Sequence, residues 1–317
     1  MVLLRRERPA RNFWRIIVNK RALFGGYAMV VASAVIYGCM PLMANFIYDD
    51  GVNALTLVLL RNLLSLPVIL SMALLARQNL FVGFKNMGLA MFVGMFGCAI
   101  TPLLLFSSYT YISGGTATVF HFVYPAVVLL AEMLIMRSGA KWSSIAAVLV
   151  CVLGIALFYD PSEGINLVGG ALALSSGVTY AVYIVLLGKF GTRGMGTYVF
   201  CFFAELASTI IILIACFASG EFSFPQTTGG WILSFVFAAA VNGGAVVLFQ
   251  RGTVLIGGQR ASVLSTFEPL TSIVVGYFAF GEDIGWRTVV GSVLVLGAAV
   301  MIALIGSSHE NKEEKTV

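Results

Sequence analysis

The sequence predicts an all-α membrane protein with ten transmembrane helices, arranged as two inverted five-helix repeats. Three observations predict it. Hydrophobic residues make up 59% of the 317 residues and charged residues only 10%, whereas a soluble domain carries about 25% charge. The apolar residues gather in runs of about 20, the length that a ~30 Å hydrocarbon core asks of a helix. Finally, one half of the chain reads onto the other.

The repeat is clearest at Gly114 to Met136, where Gly114, Ala117, Val119 and Pro125 fall on Gly258, Ala261, Val263 and Pro269 at a shift of 144 residues. Trp142 falls on Trp286 at the same shift, and Ser33 and Tyr37 fall on Ser176 and Tyr180 at a shift of 143. Each copy therefore carries an apolar segment with a proline and a titratable side chain inside it.

The chain divides into a basic N-terminal tail (1–23), a first repeat (24–159), a second repeat (160–306) and a C-terminal tail (307–317). The first tail holds Arg5, Arg6, Arg8, Arg11, Arg15, Lys20 and Arg21, interleaved with Phe13, Trp14, Ile16 and Ile17. An interfacial helix on anionic headgroups and a disordered orienting tail both fit it. The run that follows is too long for a signal-peptide core, so no cleavage is expected.

The spans are expected near 24–47, 54–76, 87–109, 114–136, 141–159, 166–188, 196–218, 229–250, 260–280 and 287–306. In lipid the backbone must satisfy its own polar groups, so runs of this length are helices. Alternate connections carry Arg77 and Lys85, Arg137 and Lys141, Lys189 and Arg193, and Arg251 and Arg260, with Lys312 and Lys315 in the tail. The others carry Asp49, Asp50, Asp160, Glu163, Glu221, Glu282 and Asp283, with Arg287 the one basic residue nearby. Positive loops face the cytoplasm, which places both termini there and the protein in the plasma membrane. Five spans per copy is an odd number, so the second copy enters from the opposite side. That is the inverted-repeat logic of many secondary transporters.

Pro125 and Pro269 in the fourth helix of each unit join other marks: Tyr37-Gly38, Arg61-Asn62, Tyr180-Ala181-Val182-Tyr183, Glu268-Pro269 and Gly281-Glu282. With these the chain resembles the drug/metabolite transporter superfamily, in its EamA-type bacterial branch, over about residues 24 to 306. The architecture and its repeat carry the resemblance rather than any single motif. Ser138 departs from the pattern, standing where the first copy would have the counterpart of Glu282. The resemblance implies a carrier of small metabolites or drugs working by alternating access, read here as an exporter, and leaves the substrate open.

Ionisable side chains at membrane depth cost roughly 2.5–3.5 kcal/mol even on lenient scales, so each needs a reason. Arg61 either snorkels to the headgroups or lines a cavity toward an anionic group. Its repeat counterpart is Glu205, of opposite sign. Glu268 is either a hydrogen-bonded structural acid or a cavity acid that binds substrate or a proton. His121 lies three residues before Tyr124 and four before Pro125, which places them on one helix face. A core histidine is an equal alternative for it. Tyr37 and Tyr180 lie too deep for interface anchors, and Tyr183 and Asn242 complete the expected substrate-binding set. Pro125 and Pro269 are expected to act as hinges, Pro269 by freeing the carbonyl of Ser265.

The competing classes are a channel, which wants rings of like charge, and a membrane-embedded enzyme, which wants a clustered nucleophile, dyad or metal set. Two histidines and five dispersed cysteines without CxxC spacing supply neither. No catalytic residue, metal or cofactor is expected. The basic residues are spread over the loops, which points to the lipid bilayer and away from nucleic acid. The expected partners are a small-molecule substrate and protons as coupling ion, with a homodimer left open.

Overall fold

Lipid leaves a backbone only its own partners, and the chain answers with helices throughout. The computed structural model describes residues 9–136, 142–157, 166–190, 195–256, 261 and 264–313. Among these there are helices and no strand. In the first half they are α1 (Pro9–Gly38), α2 (Met40–Asp49), α3 (Ala54–Leu75), α4 (Phe84–Gly94), α5 (Thr101–Ser108), α6 (Gly114–His121), α7 (Tyr124–Met136) and α8 (Trp142–Ala156). The second half contributes α9 (Leu167–Phe190), α10 (Thr197–Ser219), α11 (Thr228–Ala238), α12 (Val246–Ile256), α13 (Phe267–Phe280) and α14 (Trp286–Glu313). Two π-helical segments, Met95–Ile100 and Ala239–Ala245, join α4 to α5 and α11 to α12.

Six described stretches are long and apolar enough to cross a membrane: Leu23–Asp49, Ala54–Leu75, Phe84–Ser108, Leu167–Leu187, Thr197–Ser219 and Thr228–Thr253. Ile145–Ala156, Phe267–Phe280 and Trp286–Met301 are shorter apolar helices. Large apolar side chains stand on the outside, Phe278 80% and Leu153 61% exposed, as a lipid-facing surface permits and a water-facing one penalises.

The expected first and fourth helices are each broken. Cys39 interrupts the first, two residues before Pro41, and Phe122–Val123 interrupt the fourth, just before Tyr124-Pro125. A proline has no N–H for the carbonyl four residues back and disfavours helical geometry just before itself. The expected ninth helix starts afresh at Phe267 after a turn at Ser265–Thr266. Pro125 and Pro269 therefore stand in the first turn of new helices, where a missing N–H costs nothing. The carbonyl of Ser265, expected to be free, accepts from the N–H of Glu268 at 3.0 Å.

The halves interlock. α3 packs on α10 and α8 on α14, pairs of repeat-equivalent helices, and α6 packs on α13, the later part of the span that corresponds to its own. α1 packs on α12 and α13, while its equivalent α9 packs on α5, α6 and α7. α4 packs on α10 as α11 packs on α3. Exchanging the halves maps α3–α10 and α8–α14 onto themselves, α1–α12 onto α9–α5, α1–α13 onto α9–α7 and α4–α10 onto α11–α3. The counterpart of α6, at 258–265, lies largely outside the described residues. Small residues let the backbones approach, as helices in lipid require. A Cβ on Gly26 would lie 2.6 Å from Ile256 on α12, one on Gly38 would lie 2.6 Å from the carbonyl of Glu268, and one on Gly94 would meet the backbone of Ala204 on α10.

Polar clasps cross between the halves at both ends of the bundle. At one end the Asp50 carboxylate accepts from the N–H groups of Gln226 (3.0 Å) and Thr227 (3.1 Å), at the start of α11. A Cβ on Gly230 would strike this carboxylate. Beside it the Thr56 hydroxyl accepts from the N–H of Ser223 at 3.1 Å. At the same end Gly281, in a left-handed conformation at φ 64°, turns the chain after α13. Glu282 then lies against Ser113 and the Gly114 N–H at the start of α6. Burial pushes the Glu282 carboxyl above the ordinary carboxylate range, against the pull of those two partners. At the opposite end Gln78 Oε1 accepts from the N–H groups of Tyr198 (3.1 Å) and Val199 (3.3 Å) on α10. The charged loop positions Arg137, Lys141, Asp160, Glu163, Arg193 and Arg260, and Ser138 with them, lie outside the described residues.

The Asp50 clasp has a pH signature. The Thr227 amide, seconded by its hydroxyl and by the Gln226 amide, holds the Asp50 carboxyl below its ordinary value. A depressed carboxyl stabilises the fold above its unfolded pKa of about 3.9 and loses that contribution as pH falls through the lower folded value. Asp50→Asn should lower the thermal midpoint at neutral pH and flatten its fall below about pH 4. Midpoints of parent and variant in detergent, recorded from neutral pH downward, check this.

Candidate functional site: polar residues where the halves meet

Proline and glycine shape the site before any charge does. Pro102 has no N–H for the carbonyl of Cys98, four residues back. The buried Asn62 on α3 answers it, its Nδ2 donating to the Cys98 carbonyl at 2.9 Å. Within the same π-helical segment Gly97 lies against the ring of Tyr183 on α9, and a Cβ there would come 2.5 Å from Tyr183 Cδ2. The second π-helical segment carries Asn242, and the Ser33 hydroxyl donates to the Ala245 carbonyl at its end, at 2.8 Å. Such segments are rare and gather at functional sites.

Arg61 is clamped rather than snorkelling. Its Nε donates to Asn242 Oδ1 at 3.0 Å, and its guanidinium lies over the Phe106 ring at 5.8 Å. Asn242 Nδ2 donates to Ser65 Oγ at 3.1 Å and to the Arg61 carbonyl at 3.5 Å. Asn242, expected to bind substrate, thus spends both ends of its amide on holding Arg61. The guanidinium stands within electrostatic reach of Tyr37, Tyr109, Tyr180, Cys98 and Glu205.

The aromatic residues form one continuous cluster. Tyr124 meets Tyr180 edge to face at 4.9 Å, and Tyr180 stacks on Tyr183 at 5.7 Å. His121 lies 5.7 Å from Tyr124 and 5.2 Å from Tyr180. The helix break between His121 and Tyr124 ends their helical register, yet the two rings remain neighbours. His121 Nδ1 is 2.9 Å from Ser176 Oγ, and that hydroxyl donates to the Ala173 carbonyl at 2.6 Å. The serine proton is thus committed, so the imidazole donates from Nδ1. The His121 carbonyl, which Pro125 cannot serve, packs on Gly177, where a Cβ would lie 2.6 Å away. His121 is tied into the wall of the site by both ring and backbone.

The two carboxylates differ. Glu205 is 5% exposed; the Cys98 side chain hydrogen-bonds its carboxylate, while its Oε2 has no partner among the described residues. Glu268 stands in the first turn of α13, at the positive end of a helix. Its field reaches Tyr37, Tyr109, Tyr124 and Tyr180. Neither acid forms an ion pair with Arg61 among the described residues. Of the expected set, Tyr37, Arg61, Tyr124, Tyr180, Tyr183, Glu205, Glu268 and His121 thus converge on one region, with Asn242 serving Arg61. Sequence reasoning gave no site role to Asn62, Ser65, Ser176 and Phe106. Asn62 had a readable signal in Pro102 and Ser176 in its match to Ser33, while the others gave none.

Known proteins carry the same architecture. The EamA-like transporter family matches residues 24–159 and again residues 167–304. The uncharacterized inner membrane transporter YicL of Salmonella typhimurium is 23% identical over 88% of this chain and 95% of its own length. The uncharacterized transporter YcbK of Bacillus subtilis is 24% identical over 86% of this chain and 90% of its own. A crystal structure of another protein superposes with a TM-score of 0.63 at 15% identity, covering 90% of this chain and 98% of that one. That likeness concerns the fold alone.

Asn62→Ala should leave the Cys98 carbonyl buried and unanswered, at a cost of about 1–3 kcal/mol. Denaturant unfolding in detergent measures it, and an unchanged midpoint would show that the carbonyl finds another donor.

Proposed function

Because the chain belongs to the EamA-like transporter family, we propose that it is a ten-span secondary carrier for a small metabolite, working by alternating access. Its units are the inverted repeats 24–159 and 160–306, with cytoplasmic tails at 1–23 and 307–317. The observation that carries this reading is the packing, in which the α1–α12, α1–α13 and α4–α10 contacts recur as α9–α5, α9–α7 and α11–α3 when the halves are exchanged. The π-helical segments support it, since Met95 and Ala239 begin them 144 residues apart. So does the family match, which falls once on each half.

The site lies between the halves, lined by Tyr37, Arg61, His121, Tyr124, Tyr180, Tyr183, Glu205 and Glu268. The breaks before Pro125 and Pro269 are the hinges, since each interrupts a helix that carries site residues. Outward movement across the plasma membrane is adopted with the reading of the sequence as a drug/metabolite carrier. Protons are the coupling ion, carried by Glu268. The support is its place, for the Glu268 carboxyl makes no hydrogen bond among the described residues and stands beside the Ser265–Thr266 turn. Rocking at that turn exposes it to one side and then the other.

Two measurements test the reading. Single cysteines at positions 78 and 190 should react with impermeant reagent only from the cytoplasmic side, and labelling from outside would overturn the topology. For coupling, one pH unit is worth about 1.36 kcal/mol, roughly tenfold in accumulation. Glu268→Gln proteoliposomes should keep substrate exchange and lose that tenfold. Uptake that still follows the pH gradient would leave Glu268 a structural group.

A further inference from the structure

On the proposed topology the Asp50 end of the bundle faces outward, and two acids close it. The Asp50 carboxylate reaches from the first half to the amides that open α11 in the second. Glu282 reaches the other way, from the end of α13 to Ser113 and the Gly114 N–H at the start of α6. A Cβ on Gly276 would strike Glu282 Oε2, so glycine leaves the room that the carboxyl occupies over the last turn of α13. Ser113 Oγ already accepts from the N–H of Thr116 at 3.2 Å and donates to Thr116 Oγ1 at 3.1 Å. One lone pair is left, and a protonated Glu282 fills it by donating while its other oxygen accepts from Gly114. An ionised Glu282 must instead draw the serine proton away from Thr116 and hold a full charge in a half-buried place.

α6 carries what happens at this contact into the site. A Cβ on Gly114 would strike Pro41 on α2, and one on Gly115 would lie 3.0 Å from Ile273 on α13. Deeper in, Ser272 Oγ on α13 lies 3.3 Å from Thr118 Oγ1. The contacts run antiparallel, so α6 ends at His121, and α13 starts beside Glu268, about 20 Å from its outer end. Helices packed this closely pass a displacement at one end on to the other. The contact is also one-sided. At the 144-residue shift Glu282 falls on Ser138 and Ser113 on Gly257, both outside the described residues. A serine and a glycine cannot repeat a carboxyl-to-hydroxyl contact.

We propose that Glu282 is a proton-dependent latch on the outer gate: neutral, it ties α13 to α6 and shuts the site from outside, and ionised, it lets them part. The inference rests on the carrier reading above and adds a regulation of the same site. The sign follows from burial, which holds the Glu282 carboxyl above the ordinary range while the latch is closed. A parted latch is wet, and its carboxyl returns to about 4.3. The closed form therefore binds the proton more tightly. Its advantage is complete below the ordinary value and is lost as pH rises through the higher one. The charged and titratable groups on the surrounding elements are Asp49 and Asp50 at the end of α2, Tyr111 ahead of α6, Tyr277 on α13, and Asp283 and Arg287 leading into α14. Burial, Ser113 and the Gly114 amide, rather than these, set the state of the carboxyl. Asp50 grips in its charged form, so the two acids together hold this end shut in mild acid.

The test follows hydrogen–deuterium exchange in the purified full chain, without substrate, from about pH 5 to about pH 9, with rates corrected for intrinsic exchange. Protection of Gly114–His121 and of residues 276–284 should be greatest in acid and fall by up to tenfold per pH unit as the carboxyl titrates. Glu282→Gln, which keeps a donor and an acceptor and cannot ionise, should hold the acid level throughout. Glu282→Ala should show the alkaline level throughout, and if it does not fold, the comparison of parent with Glu282→Gln decides alone. Parent protection that stays level or rises with pH would overturn the proposal, as would a Glu282→Gln protein that tracks pH with the parent. A fall shared by α3 would be a general softening and would overturn it too. Because no substrate is present, a failed latch leaves the carrier reading standing. A working latch in a protein without flux in vesicles would sink the carrier reading alone.

Discussion

Everything in this fold depends on what happens to a backbone carbonyl that loses its helical donor where no water can replace it. Prolines at 41, 102, 125 and 269 withhold donors from four helices in a row of apolar surroundings. Two of these gaps find a donor, and a third is closely packed. Asn62 serves Cys98, the Glu268 amide serves Ser265, and Gly177 packs on the carbonyl of His121. The answers also build the site. Repairing Cys98 anchors α3, which carries Arg61, and closing on His121 brings α9 with Tyr180 and Tyr183 to the aromatic cluster.

Glycine and alanine make this arrangement possible because lipid offers helices no hydrophobic drive to associate. Where α1 crosses α12, a Cβ at Gly252 would lie 2.9 Å from the Gly26 carbonyl. Gly94 against Ala204 and Gly243 against Val68 repeat the pattern. Close backbones leave no slack, so a charged side chain between them is either clamped or orphaned. Arg61 is clamped by Asn242, and Glu205 keeps one carboxylate oxygen without a partner among the described residues.

Much of the helical layout was legible in the sequence because hydropathy and loop charge act locally. Helices lie in each expected stretch. The first-helix break was missed although Pro41 stood in plain view, because the repeat drew attention only to Pro125 and Pro269. The second π-helical segment has no proline at all, only Asn242-Gly243-Gly244, so no local rule announced it. The roles of Asn242 and Glu205 were beyond local rules for a different reason. Asn242 meets Arg61 across 181 residues of chain, and a bond at that separation depends on how the halves dock. The aromatic cluster was legible in membership and not in geometry, since the break after His121 replaces helical register with a turn.

The clasps between the halves are chemically unequal. Asp50 grips two amide N–H groups with a full charge, while Gln78, at the far end of α3, grips two with a neutral carbonyl. Hydrogen bonds to an ionised acceptor are roughly twice as strong as neutral ones. On the carrier reading, parting the halves at the Asp50 end would therefore cost more than parting them at the Gln78 end. The two-fold scaffold would then take a preferred idle posture, Asp50 end shut, from one carboxylate facing one amide.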